Sequence, residues 1–228
     1  TNIYNVQPWA SQIVQLNAGY STVSEVSETI AWDSRDTRIN TTKGFLVRNT
    51  MAVAGLIGTE QYFRATADAV YFQSIYEDIV ASIGGSLGAV IPYNGSSLRL
   101  NNLFFIGGDT LRGFQVGGIG PRDSNTTDAL GGTYFYTATT ELSFPLGFPK
   151  EIGIFGKAFM DIGSLWGLGG PAAYSNTVLT SNTMRVSTGF GVQWISPFGP
   201  IRIDYAKPLV QDPWDKTENI RFSFGTRF

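Results

Sequence analysis

Apolar and polar residues alternate with a period of two through most of this chain, in segments separated by Gly, Pro, Asn and Asp. At the C-terminal end, Ile220, Phe222, Phe224 and Phe228 share one face, and Arg221, Ser223, Gly225 and Arg227 share the other. Such alternation predicts β-strands with one apolar face. We predict nine strands, over residues 24–34, 43–56, 61–75, 78–92, 132–146, 151–165, 183–196, 200–209 and 218–228.

The polar faces of these strands carry charged residues, among them Lys157, Arg185, Arg202 and Asp204. A water-filled barrel interior accepts such charges, while the apolar face contacts lipid. Segments of about ten residues also match the length of a tilted strand that crosses a bilayer. The sequence therefore predicts an all-β, transmembrane antiparallel β-barrel with about eight or nine strands in this chain. A soluble β-sandwich, whose apolar faces would form a core, is the alternative.

The connections between the predicted strands alternate in length. Residues 145–149 and 196–200 form tight Pro- and Gly-containing turns, whereas 93–131 and 166–182 are long and rich in Gly, Asn and Ser. Short periplasmic turns and long outer loops are typical of membrane barrels. We predict one domain over residues 1–228, with 1–23 as a loop or partial strand. The loop 93–131 is too long for a structureless connection in a compact protein, so we expect it to be functional.

Composition narrows the possible functions. Only 15% of the residues are charged, the net charge is −2, and no Lys/Arg run forms a basic stripe, so a nucleic-acid partner is not expected. The chain contains no Cys and no His, the residues that most often serve as nucleophile, general base or metal ligand. We therefore expect neither an enzyme nor a bound metal or cofactor, and a surface protease or lipase is disfavoured.

The long loop contains one arginine that two inward carboxylates can bind. Arg112 lies in the Gly-rich stretch 107–114, and Glu141 and Asp161 fall on the polar faces of adjacent predicted strands. A carboxylate pair inside a barrel needs a cation, which Arg112 supplies if the loop folds back. Two other interpretations remain open: a glycosidase-like acid and base, or simple polarity of the lumen.

Several ordered motifs resemble the BamA-type outer-membrane protein assembly factor family. Residues 111–114 read Leu-Arg-Gly-Phe and 119–121 read Ile-Gly-Pro, which is similar to the invaginated-loop signature of that family. The similarity continues through 159–166, 196–208 and the C-terminal strand that ends in Phe, so it covers about residues 24–228. Upstream, Asp33, Arg35 and Asp36 with Gly44 resemble the Asp-Arg-Asp hairpin of the family, although Thr42 stands where a proline is common.

The resemblance implies a function and a set of site residues. It implies a sixteen-stranded barrel in an outer membrane of the Gram-negative type that supports insertion and folding of nascent outer-membrane proteins, with accessory lipoproteins and without a cofactor. Arg112, with Gly113 and Phe114, would lock the loop to Glu141 and Asp161. Phe222, Phe224 and Phe228 would form the C-terminal recognition strand at the barrel seam. The alternative function is a polypeptide-secretion transporter or passive pore on the same scaffold.

The length of the chain departs from the family pattern. Family members carry soluble POTRA repeats before the barrel and about seven further strands, and these 228 residues contain neither. An open half-sheet in lipid leaves backbone groups unpaired. We therefore expect either half of a sixteen-stranded barrel, completed by another copy or by an N-terminal barrel half, or a small closed barrel of about eight strands.

Overall fold

Nine strands form one antiparallel sheet in the computed structural model, which describes residues 2–3, 7–169 and 177–225. The strands are β1 (Val23–Asp33), β2 (Gly44–Gly58), β3 (Tyr62–Tyr76), β4 (Ile79–Pro92), β5 (Tyr134–Pro145), β6 (Ile154–Trp166), β7 (Arg185–Ser196), β8 (Gly199–Val210) and β9 (Ile220–Phe224). Each pairs with its neighbours in sequence. The nine predicted strands are confirmed, with ends shifted by at most three residues inside the described part of the chain.

Short elements surround the sheet. The N-terminal region, for which the sequence predicted only a loop or partial strand, contains a strand pair, Asn2–Ile3 with Gly19–Tyr20, and the helix α1 (Gln12–Leu16). The Ser11 hydroxyl caps α1 by accepting from the Val14 amide at 3.2 Å. Two 3₁₀ helices, Leu100–Asn102 and Lys150–Ile152, lie in connections. No helix in the described residues is long and apolar enough to cross a membrane.

The sheet is open. Its order runs from β1 to β9, and within the described residues no pairing joins these two outer strands. Of the two forms expected from the sequence, the chain therefore adopts the half-barrel and not the small closed barrel. Residues from the β1–β2 connection and from the end of β9 nevertheless line one cavity of about 540 Å³. The sheet is thus strongly curved around this cavity, as a segment of a barrel wall is.

The convex face of the sheet is apolar and exposed in every strand. Its exposed residues include Ile30, Trp32, Val47, Met51, Phe63, Tyr71, Ile83, Leu87, Leu142, Met160, Phe190, Trp194, Ile203, Tyr205, Ile220, Phe222 and Phe224. A soluble protein rarely exposes an apolar surface of this extent, whereas a membrane barrel turns such a surface toward lipid. The soluble sandwich is therefore excluded, since its apolar faces would be buried.

The connections fall at two ends of the sheet. One end, which we call the turn end, carries connections 34–43, 77–78, 146–153 and 197–198; the other, the loop end, carries 59–61, 93–133, 167–184 and 211–219. Two connections depart from the simple rule of short turns and long loops. The connection 34–43 is long although it lies at the turn end, and side-chain hydrogen bonds close it, as described below. The connection 59–61 is a tight link between β2 and β3 at the loop end.

The loop 93–133 packs against the concave face instead of extending away from it. Ile106, Leu111, Phe114 and Ile119 of the loop form a buried cluster with Leu165 of β6. These side chains are at most 4% exposed. Burial of this apolar surface places the polar residues of the loop beside the inward charges of β5 to β9.

Candidate functional site: an arginine anchored inside the curved sheet

Arg112 is fully buried, and every nitrogen of its guanidinium donates a hydrogen bond to a carboxylate. Nε and Nη2 donate to the two oxygens of Asp161, each at 2.7 Å, which gives a bidentate pair. Nη1 donates to Oε2 of Glu141 at 2.7 Å. The Arg112 backbone amide also donates to Asp161, at 3.1 Å. Paired, planar hydrogen bonds of this kind fix orientation as well as charge.

The strands place the two carboxylates side by side. Glu141 of β5 lies opposite Phe159 of β6, and Asp161 lies two residues further along β6, opposite Thr139. All four residues therefore point toward the concave face. The Thr139 hydroxyl donates to Asp161 at 2.8 Å. Asp161 is fully buried and bonded through both oxygens, so it has no access to a substrate as a glycosidase carboxyl would need.

Further inward charges complete a balanced cluster. Lys157 Nζ lies 2.7 Å from Oε1 of Glu141, and Arg202 Nη2 lies 3.4 Å from Oε2 of the same carboxylate. Arg202 also contacts Asp204 at 3.2 Å, and Asp204 lies 3.9 Å from Arg112. Three cations thus face three carboxylates. Such pairing offsets the cost of removing the charges from water.

Contacts to both the side chain and the backbone of Arg112 restrict its movement. The guanidinium carbon lies 3.3 Å from the ring centroid of Phe159, a cation–π contact. The Ser187 hydroxyl of β7 donates to the Arg112 carbonyl at 2.5 Å. Phe114, the other aromatic residue near this arginine, instead belongs to the buried apolar cluster. The loop is therefore held by charge, by aromatic stacking and by its own apolar residues.

Gly113 allows this close approach because no other residue fits its backbone. Its φ is +91°, a conformation that strains any residue with a Cβ. A Cβ there would also lie 3.1 Å from the Ser187 Cβ and 3.5 Å from the ring of Pro208. The pairing of β7 with β8 shifts register between Val186 and Ser187, at this docking point.

The hairpin motif forms its contacts within the connection 34–43 and its flanking residues. Nε and Nη2 of Arg35 donate to the two oxygens of Asp33 at 2.8 and 2.9 Å. Asp36 accepts from the Thr42 hydroxyl at 2.5 Å and from the Thr42 amide at 3.0 Å. Gly44 has a φ of +104°, and a Cβ there would collide with the Ser34 carbonyl. These bonds close the connection into a defined loop.

Thr42 contributes two donors that a proline at this position would lack. Its hydroxyl bond, followed by backbone donors, lowers the pKa of Asp36 to about 2. The hydrogen bond to Asp33 raises the pKa of Arg35. Arg35 lines the same cavity as Glu141 and Lys157, so the hairpin and the Arg112 cluster border one space.

The C-terminal strand presents its aromatic residues to the outside. Phe222 and Phe224 are about two-thirds exposed on the convex face. Phe228, the third residue predicted for this strand, lies outside the described residues.

A second buried arginine was not singled out from the sequence. Arg185 of β7 is fully buried and donates to Asp215 at 3.0 Å and to Asp212 at 2.5 Å. Asp215 in turn accepts from the Asp212 amide at 2.7 Å. This cluster ties the connection 211–219 to β7. In the sequence, only the inward-facing position of Arg185 on its strand pointed to this cluster. Its partners Asp212 and Asp215 lie in a connection that has no periodic pattern, so the sequence did not indicate them.

Comparison with known proteins assigns the family. The Omp85 superfamily domain matches residues 1–228. The chain belongs to the Omp85 superfamily. Among relatives of this Omp85 chain, the outer membrane protein assembly factor BamA of Neorickettsia risticii is 33% identical over 227 residues, which cover 99% of this chain and 30% of that protein. The sorting and assembly machinery component 50 homolog of Homo sapiens is 26% identical over 231 residues, 96% of this chain and 48% of the relative.

A solved structure shows the same fold. The crystal structure of BamA from Haemophilus ducreyi lacking POTRA domains 1–3 superposes with a TM-score of 0.74 at 22% identity, covering 86% of this chain and 41% of that one. The Omp85 chain thus has the fold of an outer-membrane β-barrel segment. It spans between about a third and a half of the length of these relatives.

Proposed function

We propose that this Omp85 chain is the C-terminal barrel portion of an outer-membrane protein assembly factor, which supports insertion and folding of nascent outer-membrane proteins in a membrane of the Gram-negative type. The observation that carries the proposal is the family match over the whole chain, with relatives named for outer-membrane protein assembly and for sorting and assembly. The partners are the lipid bilayer, nascent barrel proteins and accessory lipoproteins.

The geometry of the outer strands supports this function. Within the described part of the chain, β9 pairs with β8 over five residues, although β8 itself is twelve residues long. The other edge of β9 carries no partner among the described residues. A free strand edge can template another strand through main-chain hydrogen bonds. Strand addition of this kind needs no bound cofactor and no covalent step.

Arg112 and its partners have a supporting role in this proposal. With Gly113 and Phe114 they lock the loop 93–131 inside the lumen, against Glu141 and Asp161, and so stiffen the wall formed by β5 to β8. We propose a single domain, whose open sheet is completed by an N-terminal barrel half into the larger family barrel. The Asp33, Arg35, Asp36 and Gly44 hairpin shapes the turn-end mouth of the same cavity.

A reconstitution experiment tests the assembly function. The complete polypeptide that carries this chain is placed in liposomes, an unfolded outer-membrane β-barrel protein is added, and its folded fraction is followed by protease protection. We expect faster folding than in empty liposomes. Folding at the rate of empty liposomes would contradict the proposal.

The alternative function is a polypeptide-secretion transporter or a passive pore. The feature that favours it is the cavity of about 540 Å³, whose lining includes charged residues such as Arg35, Asp68 and Glu141. Steady ion conductance of the same polypeptide in planar bilayers, without acceleration of barrel folding, would support this alternative. Low conductance is expected if the loop remains docked, because its residues Ile106, Asp109 and Thr110 border the cavity and narrow the lumen.

A further inference from the structure

Asp109 joins the tip of the long loop to the last strand. Its Oδ1 accepts from Arg221 Nε at 2.7 Å and from the Ser223 hydroxyl at 2.6 Å. Arg221 and Ser223 are the inward residues of β9, the outermost strand. A single carboxylate oxygen therefore contacts both inward polar side chains of that strand.

The turn that presents Asp109 is rigid. The Gly107 amide donates to the Thr110 hydroxyl at 3.1 Å, and the Gly108 amide donates to the Phe114 carbonyl at 2.8 Å. Gly108 has a φ of +62°, and a Cβ there would lie 2.8 Å from Arg221 Nη2. Glycine at this position therefore allows the Arg221 guanidinium to lie directly against the turn.

The segment that leads into β9 is also held by the loop and not by the sheet. Thr217 and Glu218 pair with Phe114 and Gly113, and the Gln115 amide donates to the Lys216 carbonyl at 2.9 Å. Pro208 of β8 has no amide hydrogen to extend the ladder on this side. The last strand thus leaves β8 after a short pairing and continues along the loop.

A second contact orients Arg221 between the loop and this lead-in segment. Arg221 Nη1 donates to Glu218 at 3.0 Å, while its Nε donates to Asp109. The Arg221 side chain is 20% exposed and that of Asp109 is 46% exposed. The contact is therefore accessible to water in the lumen, and its strength is that of a partly exposed ion pair.

From these contacts we infer that Asp109 is a positioning residue that fixes the last strand to the long loop, and so sets where the free strand edge stands. This inference rests on the proposed function, because the edge of β9 is where a nascent strand would pair. It is separate from the Arg112 cluster, whose partners lie on β5 to β8. Release of Asp109 would loosen the last strand, which stays paired with β8, while Arg112 keeps the loop docked.

The test compares Asp109→Ala with Asp109→Glu in the complete polypeptide in detergent micelles or liposomes. Hydrogen exchange of the β9 amides, residues 220–224, should be about two- to fivefold faster in Asp109→Ala, as expected for loss of one partly exposed ion pair. Asp109→Glu should stay near wild type. The charge exchange Asp109→Arg with Arg221→Asp should restore slow exchange, which a general loss of stability would not allow.

A matched control lies in the same loop. Asp128 accepts from the Ser11 amide at 2.8 Å and forms no hydrogen bond or ion pair with β9 within the described residues, so Asp128→Ala should leave exchange at 220–224 unchanged. Unchanged β9 exchange in Asp109→Ala, or no recovery in the charge exchange, would overturn the inference.

The folding assay in liposomes separates the inference from the proposed function. If hydrogen exchange of the β9 amides becomes faster and the added barrel protein folds more slowly, Asp109 positions a strand edge that is used in assembly. If β9 exchange rises but folding does not change, the functional role given to this contact is wrong. If no variant or wild-type polypeptide accelerates folding at all, it is the proposed function that fails.

Discussion

Replacement of Arg112 by alanine would remove the guanidinium that joins the loop to β5 and β6 while leaving its partners in place. Asp161 is fully buried and would keep the hydrogen bonds from the Thr139 hydroxyl and from the backbone amide of residue 112, but no cation. Glu141 would retain Lys157 and Arg202. The perturbation therefore falls mainly on one carboxylate, which has no second cation within ion-pair distance among the described residues.

The magnitude follows from the burial of that pair. Removing one partner of a buried ion pair costs about 3–5 kcal/mol, because the remaining charge is left without compensation. Water can enter from the neighbouring cavity and solvate Asp161 in part, so we expect the lower value, about 3 kcal/mol, for loop docking. This corresponds to a rise of roughly 100-fold in the population of the undocked loop.

Hydrogen exchange of the loop measures this change directly. Two backbone hydrogen bonds join the loop to the segment that leads into β9. The Gln115 amide donates to the Lys216 carbonyl, and the Lys216 amide donates to the Gly118 carbonyl. Both amides should exchange much faster in Arg112→Ala. Arg112→Lys should give an intermediate rate, because an ammonium keeps the charge but loses the bidentate geometry. Arg38→Ala, at an exposed arginine of the turn end, is the matched control.

Equal protection of both amides in wild type and Arg112→Ala would refute this reasoning. That result would mean that the apolar cluster around Phe114 alone holds the loop, and that the buried charges contribute nothing to docking.

The local geometry of three places in the structure gives further predictions. Gly113→Ala should destabilise the docked loop by about 1–3 kcal/mol through backbone strain and contact with Ser187, and an unchanged thermal unfolding midpoint would contradict this. The Asp36 carboxylate, whose pKa is lowered to about 2, should stabilise its hairpin above about pH 4 and lose that effect as the pH falls through 2. Thr42→Val should raise the Asp36 pKa in an NMR titration. Arg185→Ala should expose residues 211–219 to proteolysis, while the sheet stays folded.

The sheet was predictable from sequence because its signal is local. Period-two alternation and the Pro- and Gly-containing turns located each strand within three residues at the ends that the structure describes. The start of β6 shows the limit of this method. Ile152 shares the parity of Ile154, so the strand was predicted from residue 151, but residues 150–152 form a 3₁₀ turn before Gly153, whose φ is +70°. Whether the sheet closes was not predictable, because closure depends on the pairing of strands distant in sequence.

The site was predictable only in part, for a similar reason. Strand parity indicated that Glu141 and Asp161 face inward, and the motif around Arg112 indicated the cation. The same parity applied to Lys157, Arg202 and Asp204, but their contacts depend on the registers of four strands and could not be read from spacing. Phe159 beneath Arg112 and Asp109 against Arg221 are contacts between distant segments, which only the folded chain brings together.

Cross-linking of a nascent strand to the last strand of the sheet tests the central claim most directly. The chain has no native cysteine, so Ile220→Cys at the start of β9 and Leu87→Cys in the middle of the sheet give matched outward-facing probes. In the complete polypeptide, a folding outer-membrane β-barrel protein with a cysteine in its terminal strand should form a disulfide with Ile220→Cys and not with Leu87→Cys. Equal cross-linking at both positions, or none at Ile220→Cys, would contradict the account.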